Sequence, residues 1–325
     1  MDCEVVVGGW PCQDISVAGT GRGLEGPNSK LFYELLRVAK SSSAEVVVAE
    51  NVSNVLRLEG GRIFRIILSE FQKSGFPYIA WRSINAREFG LPHHRNRVFL
   101  VAAACLNTAT SLFRDHKCQA GLTQDDPVAG FYWTAGTHSI NYSVGYVPTI
   151  KVGSSLSIPS PPAIHFEDTV RLLSPEEALR LQGFTDIKVE NFSKSDIYRM
   201  AGNAVAAPVG RFVLDGILLG LEAQDFETKS QMSMFIDDVL DEVGPIPKSG
   251  IFDGEITEVL LKKNSLAANL SEYIDPRNRA PISARAALGL LSRLDRSKMP
   301  CPENLRSVLT RISESKAISV DNVGI

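Results

Sequence analysis

Residues 4–7 and 44–49 are short runs of β-branched and small apolar side chains, the first closed by Gly8-Gly9 and the second centred on Val46-Val47-Val48. Unbroken runs without polar alternation predict strands covered on both faces, as in a parallel sheet. Between them the period changes. Leu31, Phe32, Leu35, Leu36 and Ala39 share one helical face, behind a cap at Asn28 or Ser29. Strand, helix and strand then predict a βαβ unit with a right-handed crossover. A second helix is expected over 62–73, carrying Ile63, Phe64, Ile66, Ile67 and Phe71 and stopped by Gly75. Strands are expected around 78–85 and 97–104. The pattern is that of an α/β protein.

From about 106 to 147 the periodicity dissolves into Gly, Thr, Ser and aromatic residues, Phe131-Tyr132-Trp133 among them. Order resumes at Ser174-Pro175-Glu176-Glu177, with a Ser cap, Pro at the first helical position and Glu at the third. That helix should stop near Gly183. Another starts near Ala206 and carries Val209, Phe212, Val213, Ile217 and Leu218. Beyond about 221 the composition shifts, and helices are expected near 231–243, 255–273 and 282–297. The organisation so predicted is a main domain in two pieces, 1–105 and 166–221. An irregular region, 106–165, interrupts it, and a helical extension, 222–325, follows.

Composition excludes more than it selects. With 44% hydrophobic residues, core size is not limiting. The longest apolar run, 98–106, is too short to span a bilayer. Strand-like residues start almost at Met1, so neither a membrane anchor nor a signal peptide is expected and the setting is cytoplasmic. Five cysteines at scattered spacings agree with a reducing compartment. The net charge of −3 carries no generic nucleic-acid signal. Any binding of DNA would rest on a local basic surface and a shaped cleft.

In an open α/β sheet, ligands sit beyond the carboxyl ends of the strands. Cys12 follows the first strand by a few residues and Glu50 ends the second. If these strands are neighbours, roughly 4.8 Å apart, a thiol and a carboxyl face one cleft as nucleophile and acid/base partner. Taken alone, the cysteine also fits a small buried hydrophobe and the glutamate a solvated edge. Gly19, Gly21, Gly23 and Gly26 lack the Gly-Lys-Ser/Thr ending of a phosphate loop and do not open a helix directly after a strand. His93-His94 and Cys105, His116 and Cys118 match no zinc spacing, so no metal is expected.

The wording around these residues is more specific. Gly9-Trp10-Pro11-Cys12-Gln13-Asp14-Ile15-Ser16, Glu50-Asn51-Val52 and 89–99, which includes His93-His94-Arg95-Asn96-Arg97, closely resemble three motifs of the cytosine-C5 DNA methyltransferases. Residues 171–184 and Gly202-Asn203-Ala204-Val205 resemble two later motifs, in family order. The resemblance implies a Rossmann-like sheet with a small target recognition region at 106–165. It implies S-adenosyl-L-methionine as cofactor and double-stranded DNA as partner, with the target base flipped out of the duplex. Cys12 would be the nucleophile, assisted by Glu50, Arg95 and Arg97. Pro11, Leu31, Asn203 and Val205 would touch the cofactor, while Trp10, Gln13, Ser16 and Val52 would shape the base pocket and loop. The glycines after Cys12 would form a lid. His93 departs from the Gln usual at its position.

The same resemblance exposes a gap. The family's first strands, its Phe-x-Gly-x-Gly-type loop and the acidic residues that hold ribose and adenine have no counterpart here. The 4–7 strand should then have an open edge, which is an aggregation hazard. A second polypeptide carrying the missing motifs is the expected remedy. A non-catalytic subunit that binds DNA or a partner, and a start misplaced within a longer chain, are the alternatives. The transfer-RNA branch characteristically has a Cys-Phe-Thr run, which is absent here.

Overall fold

The computed structural model describes residues 3–10, 30–116, 126–134, 139–152, 161–222, 245–253, 255–261 and 268–315. In chain order β1 (Val5–Gly9), α1 (Lys30–Ser41), β2 (Val46–Val52), α2 (Arg62–Lys73), β3 (Tyr78–Asn85), β4 (His93–His94) and β5 (Asn96–Ala103) lead to α3 (Leu106–Thr110). Then come β6 (Val128–Phe131), β7 (Ser143–Val144), β8 (Val147–Pro148), β9 (Ala163–Phe166) and β10 (Thr169–Leu172). Next are α4 (Pro175–Arg180), α5 (Lys194–Asn203) and α6 (Ala207–Glu222), then β11 (Ser249–Phe252) and β12 (Ile256–Glu258). Two helices, α7 (Ala284–Arg296) and α8 (Glu303–Glu314), complete the order. The chain weaves through two compact units. One holds Met1–Asn85, Asn96–Lys117 and Val209–Asn264; the other holds Ala86–Arg95, Cys118–Pro208 and Ser265–Ile325.

In the first unit six strands run in the order β1-β2-β5-β3-β11-β12. β1 and β2 are parallel, while β5 is antiparallel to both β2 and β3. The sheet is therefore mixed and not all-parallel. The ten residues joining β3 to β5 contain no crossover helix long enough to return the chain in the same direction. One face is covered as the periodicity predicts. Val47, Ala49, Ile79, Trp81, Val98 and Leu100 pack with Phe32 and Leu36 of α1 and Ile63, Phe64 and Phe71 of α2. On the opposite face Arg82 donates to the Leu112 carbonyl at 3.1 Å and stacks over the ring of Phe212 on α6.

The expectation for the first strand is half met. Val6 packs on the core, but Val7 is 61% exposed, and β2 is the only strand paired with β1 among the described residues. Among the described residues, β1 thus forms an open edge.

The second unit is built on an antiparallel sheet, β10-β9-β6-β7, which joins two strands from the region without sequence periodicity to two that follow it. Its strands are two to four residues long, too short for alternation to register. β4 and β8 pair separately in parallel. The capping box of α4 forms as predicted: the Glu177 amide donates to Ser174 Oγ at 3.2 Å, and the Ser174 amide donates to the Glu177 carboxylate at 2.7 Å. Gly183, at φ 83°, follows the helix.

Among the described residues, the segment after 222 mixes strands with helices and is not wholly helical. The expected helix at 231–243 lies outside the described residues. That at 255–273 is replaced by β12 and a short 3-10 turn at Leu270–Glu272, and β11 adds an antiparallel strand to β3. Of the three expected helices, only 282–297 is seen among the described residues, as α7, and α8 at 303–314 was not expected. α7 and α8 pack on Phe131, Ala163 and Val170 of the second unit. The tail thus serves both units, which overturns the boundary at 222. The boundary at 105 moves as well, since 86–95 belongs to the second unit. The stretch Lys194–Glu222 has the length and hydropathy of a membrane span, but the backbone turns extended at Ala204 and splits it into α5 and α6.

Candidate active site

The parallel register of β1 and β2 sets Gly9 opposite Glu50. Gly9 has no side chain to displace the carboxylate: a Cβ there would lie 3.3 Å from Glu50 Oε2. The other oxygen is held from the far side. Arg97, on β5, places Nε 2.9 Å from Glu50 Oε1 and donates from Nη1 to the Asn96 carbonyl at 2.8 Å. Both side chains are mostly buried, 23% and 15% exposed, so the pair is weakly screened and fixed in direction. The predicted partners Glu50 and Arg97 are thus brought together at the end of β1.

Cys12, with Pro11, Gln13, Ser16 and the lid glycines, lies outside the described residues. The residue that leads into it does not. Trp10 is 5% exposed, with its ring 5.5 Å from that of Phe32 in the core. Its carbonyl accepts a hydrogen bond from the buried Asn51 side chain at 3.1 Å, and Asn51 Oδ1 accepts from the Val52 amide at 2.8 Å. Asn51 therefore ties the start of the Cys12 loop to the strand that carries Glu50. It was absent from the residues singled out by sequence, although it stands inside Glu50-Asn51-Val52. A buried amide between two charged or apolar neighbours was the available signal.

Arg95 lies inside the second unit. It is 3% exposed, and its guanidinium donates to the carbonyls of Ile150 (3.2 Å), Gly202 (2.9 Å) and Ala204 (2.7 Å). A side chain so enclosed clasps the Gly202–Val205 segment. The planar fork of arginine suits three carbonyls where a lysine would not. His93, fully buried, accepts the Ile150 amide at Nε2 (3.0 Å), so it belongs to the same packing. Gly202 completes it, because a Cβ there would sit 2.6 Å from the Val152 nitrogen.

Leu31 on α1 is 49% exposed, and Asn203 is exposed at the end of α5. Both are available to a ligand. Val205, in the link to α6, is half-buried. In the second unit two cations lie on aromatic faces, Arg87 over Tyr146 at 4.0 Å and Lys151 over Tyr132 at 4.1 Å. Burial, reinforced by the charge of Arg87, lowers the pKa of His94. Among the described residues no cluster of three or more His, Cys, Asp or Glu side chains could hold a metal.

Residues 1–119 and 139–218 match the family model described as C-5 cytosine-specific DNA methylase. The chain belongs to that family. It is 30% identical to the type II methyltransferase M2.BsuMI of Bacillus subtilis over 315 residues, covering 90% of this chain and 78% of that protein. It is 25% identical to M.Bsp6I of a Bacillus species over 252 residues, covering 66% and 79%. Among solved structures, the S. pombe Dnmt2 methyltransferase aligns with a TM-score of 0.46 and 15% identity, over 68% of this chain and 79% of that one. Membership of that family makes the chain an S-adenosyl-L-methionine-dependent DNA (cytosine-5-)-methyltransferase.

Proposed function

We propose that the chain methylates C5 of a flipped cytosine in double-stranded DNA through a covalent Cys12 adduct. The observation that carries the reading is the Glu50 carboxylate, pinned by Arg97 across the end of β1, three residues before Cys12. C5 of cytosine is too weak a nucleophile to accept a methyl group directly. Addition of the Cys12 thiolate to C6 breaks the 5,6 double bond and turns C5 into an enamine-like carbon. Glu50 hydrogen-bonds N3 and the exocyclic amine, which stabilises the charge that develops there. Arg97 holds Glu50 and, as a planar cation, stands on the O2 side of the base. After methylation, loss of the C5 proton expels Cys12 and restores the ring. The base must leave the stack for any of this to occur.

The bound S-adenosyl-L-methionine supplies the methyl group. The residues fit it in part: Leu31, Asn203 and Val205, with Pro11, offer apolar and amide contacts, and Arg95 fixes the backbone that presents Asn203. The acidic residues that grip the ribose and adenine come from elsewhere. The open edge of β1, with Val7 exposed, supports a second polypeptide that pairs there and brings the remaining strands.

Two measurements test this. Co-expression with the products of adjoining genes should yield 5-methylcytosine on mapped DNA, and a Cys12→Ser change should abolish it; persistent methylation by that variant would refute the adduct. Calorimetry of the chain by itself should show no micromolar binding of S-adenosyl-L-methionine. Such binding would sink the two-polypeptide reading while leaving the adduct standing.

A further inference from the structure

Arg95 joins three stretches of backbone that are remote in sequence. Its donors meet Ile150, in the recognition region, and Gly202 and Ala204, on either side of the proposed cofactor residue Asn203. Two further contacts bind the same pair of segments. His93 Nε2 takes the Ile150 amide at 3.0 Å, and the bare Cα of Gly202 lies against Val152 where any Cβ would be 2.6 Å from its nitrogen. The guanidinium is buried, so its hydrogen bonds cannot be replaced by water when one segment moves. Motion of residues 150–152 therefore carries 202–204 with it.

The 150–152 segment also has a surface suited to a polyanion. Lys151 is exposed, lies over the Tyr132 ring, and has no carboxylate within ion-pair distance among the described residues. Arg87 lies over Tyr146, just before β8. Cations held on aromatic faces lose little freedom when they meet phosphates, and such contacts dominate affinity for DNA.

We propose that Arg95 is a positioning residue that couples DNA engagement at 146–152 to the ordering of the cofactor-closing segment 202–205. This rests on the cofactor contacts proposed for Asn203 and Val205 above. Thermodynamic linkage requires the effect to be reciprocal: DNA favours the closed 202–205 segment, and the bound cofactor favours DNA.

Hydrogen exchange of the chain, with and without a mixed-sequence duplex, tests the coupling without requiring turnover. In the native chain the duplex should slow exchange at least threefold both at 150–152 and at 202–204. In Arg95→Lys, which keeps the charge but loses the fork, protection should persist at 150–152 and vanish at 202–204. Gly202→Ala should uncouple the segments in the same way, and Arg306→Ala on α8 should behave as the native chain. Equal protection of 202–204 in the native and Arg95→Lys chains, or no protection of that segment in the native chain, would overturn the proposal. If a lysine variant fails to fold, judged by its circular dichroism, Gly202→Ala alone decides. On the assembled enzyme, duplex DNA should tighten S-adenosyl-L-methionine binding about tenfold in the native protein and less than twofold in the variants. An assembled native enzyme that never binds the cofactor would refute the function proposed above, while the exchange result would still decide the coupling.

Discussion

The Asn51 side chain donates to the Trp10 carbonyl at 3.1 Å, so the strand that bears Glu50 also anchors the chain two residues before Cys12. One buried hydrogen bond thus links the residue leading to the proposed nucleophile with the strand of the proposed acid/base group. Asn51→Asp keeps the shape and puts an acceptor where the donor stood. We expect single-turnover methylation by the assembled enzyme to fall by about 10²-fold, as a misplaced reacting group does, with DNA affinity within about twofold of native. A parallel loss of DNA affinity would show that Asn51 acts on binding and not on the loop.

Glu50 and Arg97 should be separable by charge and by geometry. Glu50→Gln removes the anion that faces the base and should cost about 10²–10⁴ in turnover, the range of a general acid–base group. Arg97→Lys keeps a cation near Glu50 but cannot also serve the Asn96 carbonyl and the base, and roughly a tenfold loss is expected from one charge-assisted bond of about 1.5–3 kcal/mol. Equal losses in the two variants, read from pre-steady-state rates, would contradict these roles.

How far the sequence led can be argued from such residues. The hydrophobic period placed α1, α2, β2 and β3 closely, because each is long enough to show its repeat. Ser174-Pro175-Glu176-Glu177 announced its own capping box. The motif wording reached Glu50 and Arg97, whose side chains do meet. It gave no sign that Arg95, two residues from Arg97 on the same extended segment, turns inward to Ile150, Gly202 and Ala204, which only the fold decides. Asn51 was missed for the same reason. The tail was misread because β11, four residues long, has no period of its own and owes its strand to β3.

Acid stability should report on the second unit. Arg171 and Glu177 form a buried bidentate pair at 2.7 and 2.8 Å, and the Asp275 amide donates to the same carboxylate at 2.6 Å. Burial pushes the Glu177 pKa up, but the bonds from Arg171, Ser174 and Asp275 outweigh it and leave it below the usual value. A depressed folded-state pKa gives stability that is present above the unfolded value, about 4.3, and is lost as pH falls through the depressed one. Glu177→Gln should therefore cost roughly 3–5 kcal/mol near neutral pH, and the gap from native should narrow below about pH 4. Urea unfolding at pH 7 and pH 3.5 checks this; a gap independent of pH would refute the linkage.

The last prediction concerns the residues after 222, which were expected to be an appendage. β11 supplies the outer neighbour of β3, Phe252 is fully buried in the main core, and Trp81 donates its indole N–H to the Pro247 carbonyl at 2.9 Å. Removing this strand leaves β3 with an open edge and the Trp81 N–H without its acceptor. Phe252→Ala should thus cost roughly 3–5 kcal/mol, as for other buried phenylalanines. An exposed neighbour such as Glu258, on the edge strand β12, should tolerate Ala within about 0.5 kcal/mol. A chain cut at 222 should be recovered mainly as aggregate, since it exposes β3 in addition to β1. A soluble truncated chain with native unfolding cooperativity would restore the appendage reading. Cooperative loss of both units would point further, because α7 and α8 pack on Phe131, Ala163 and Val170. Expressing 1–264, which keeps β11 and β12 but omits α7 and α8, separates the two contributions: the first unit should retain its core and the second should lose protection at β6, β9 and β10.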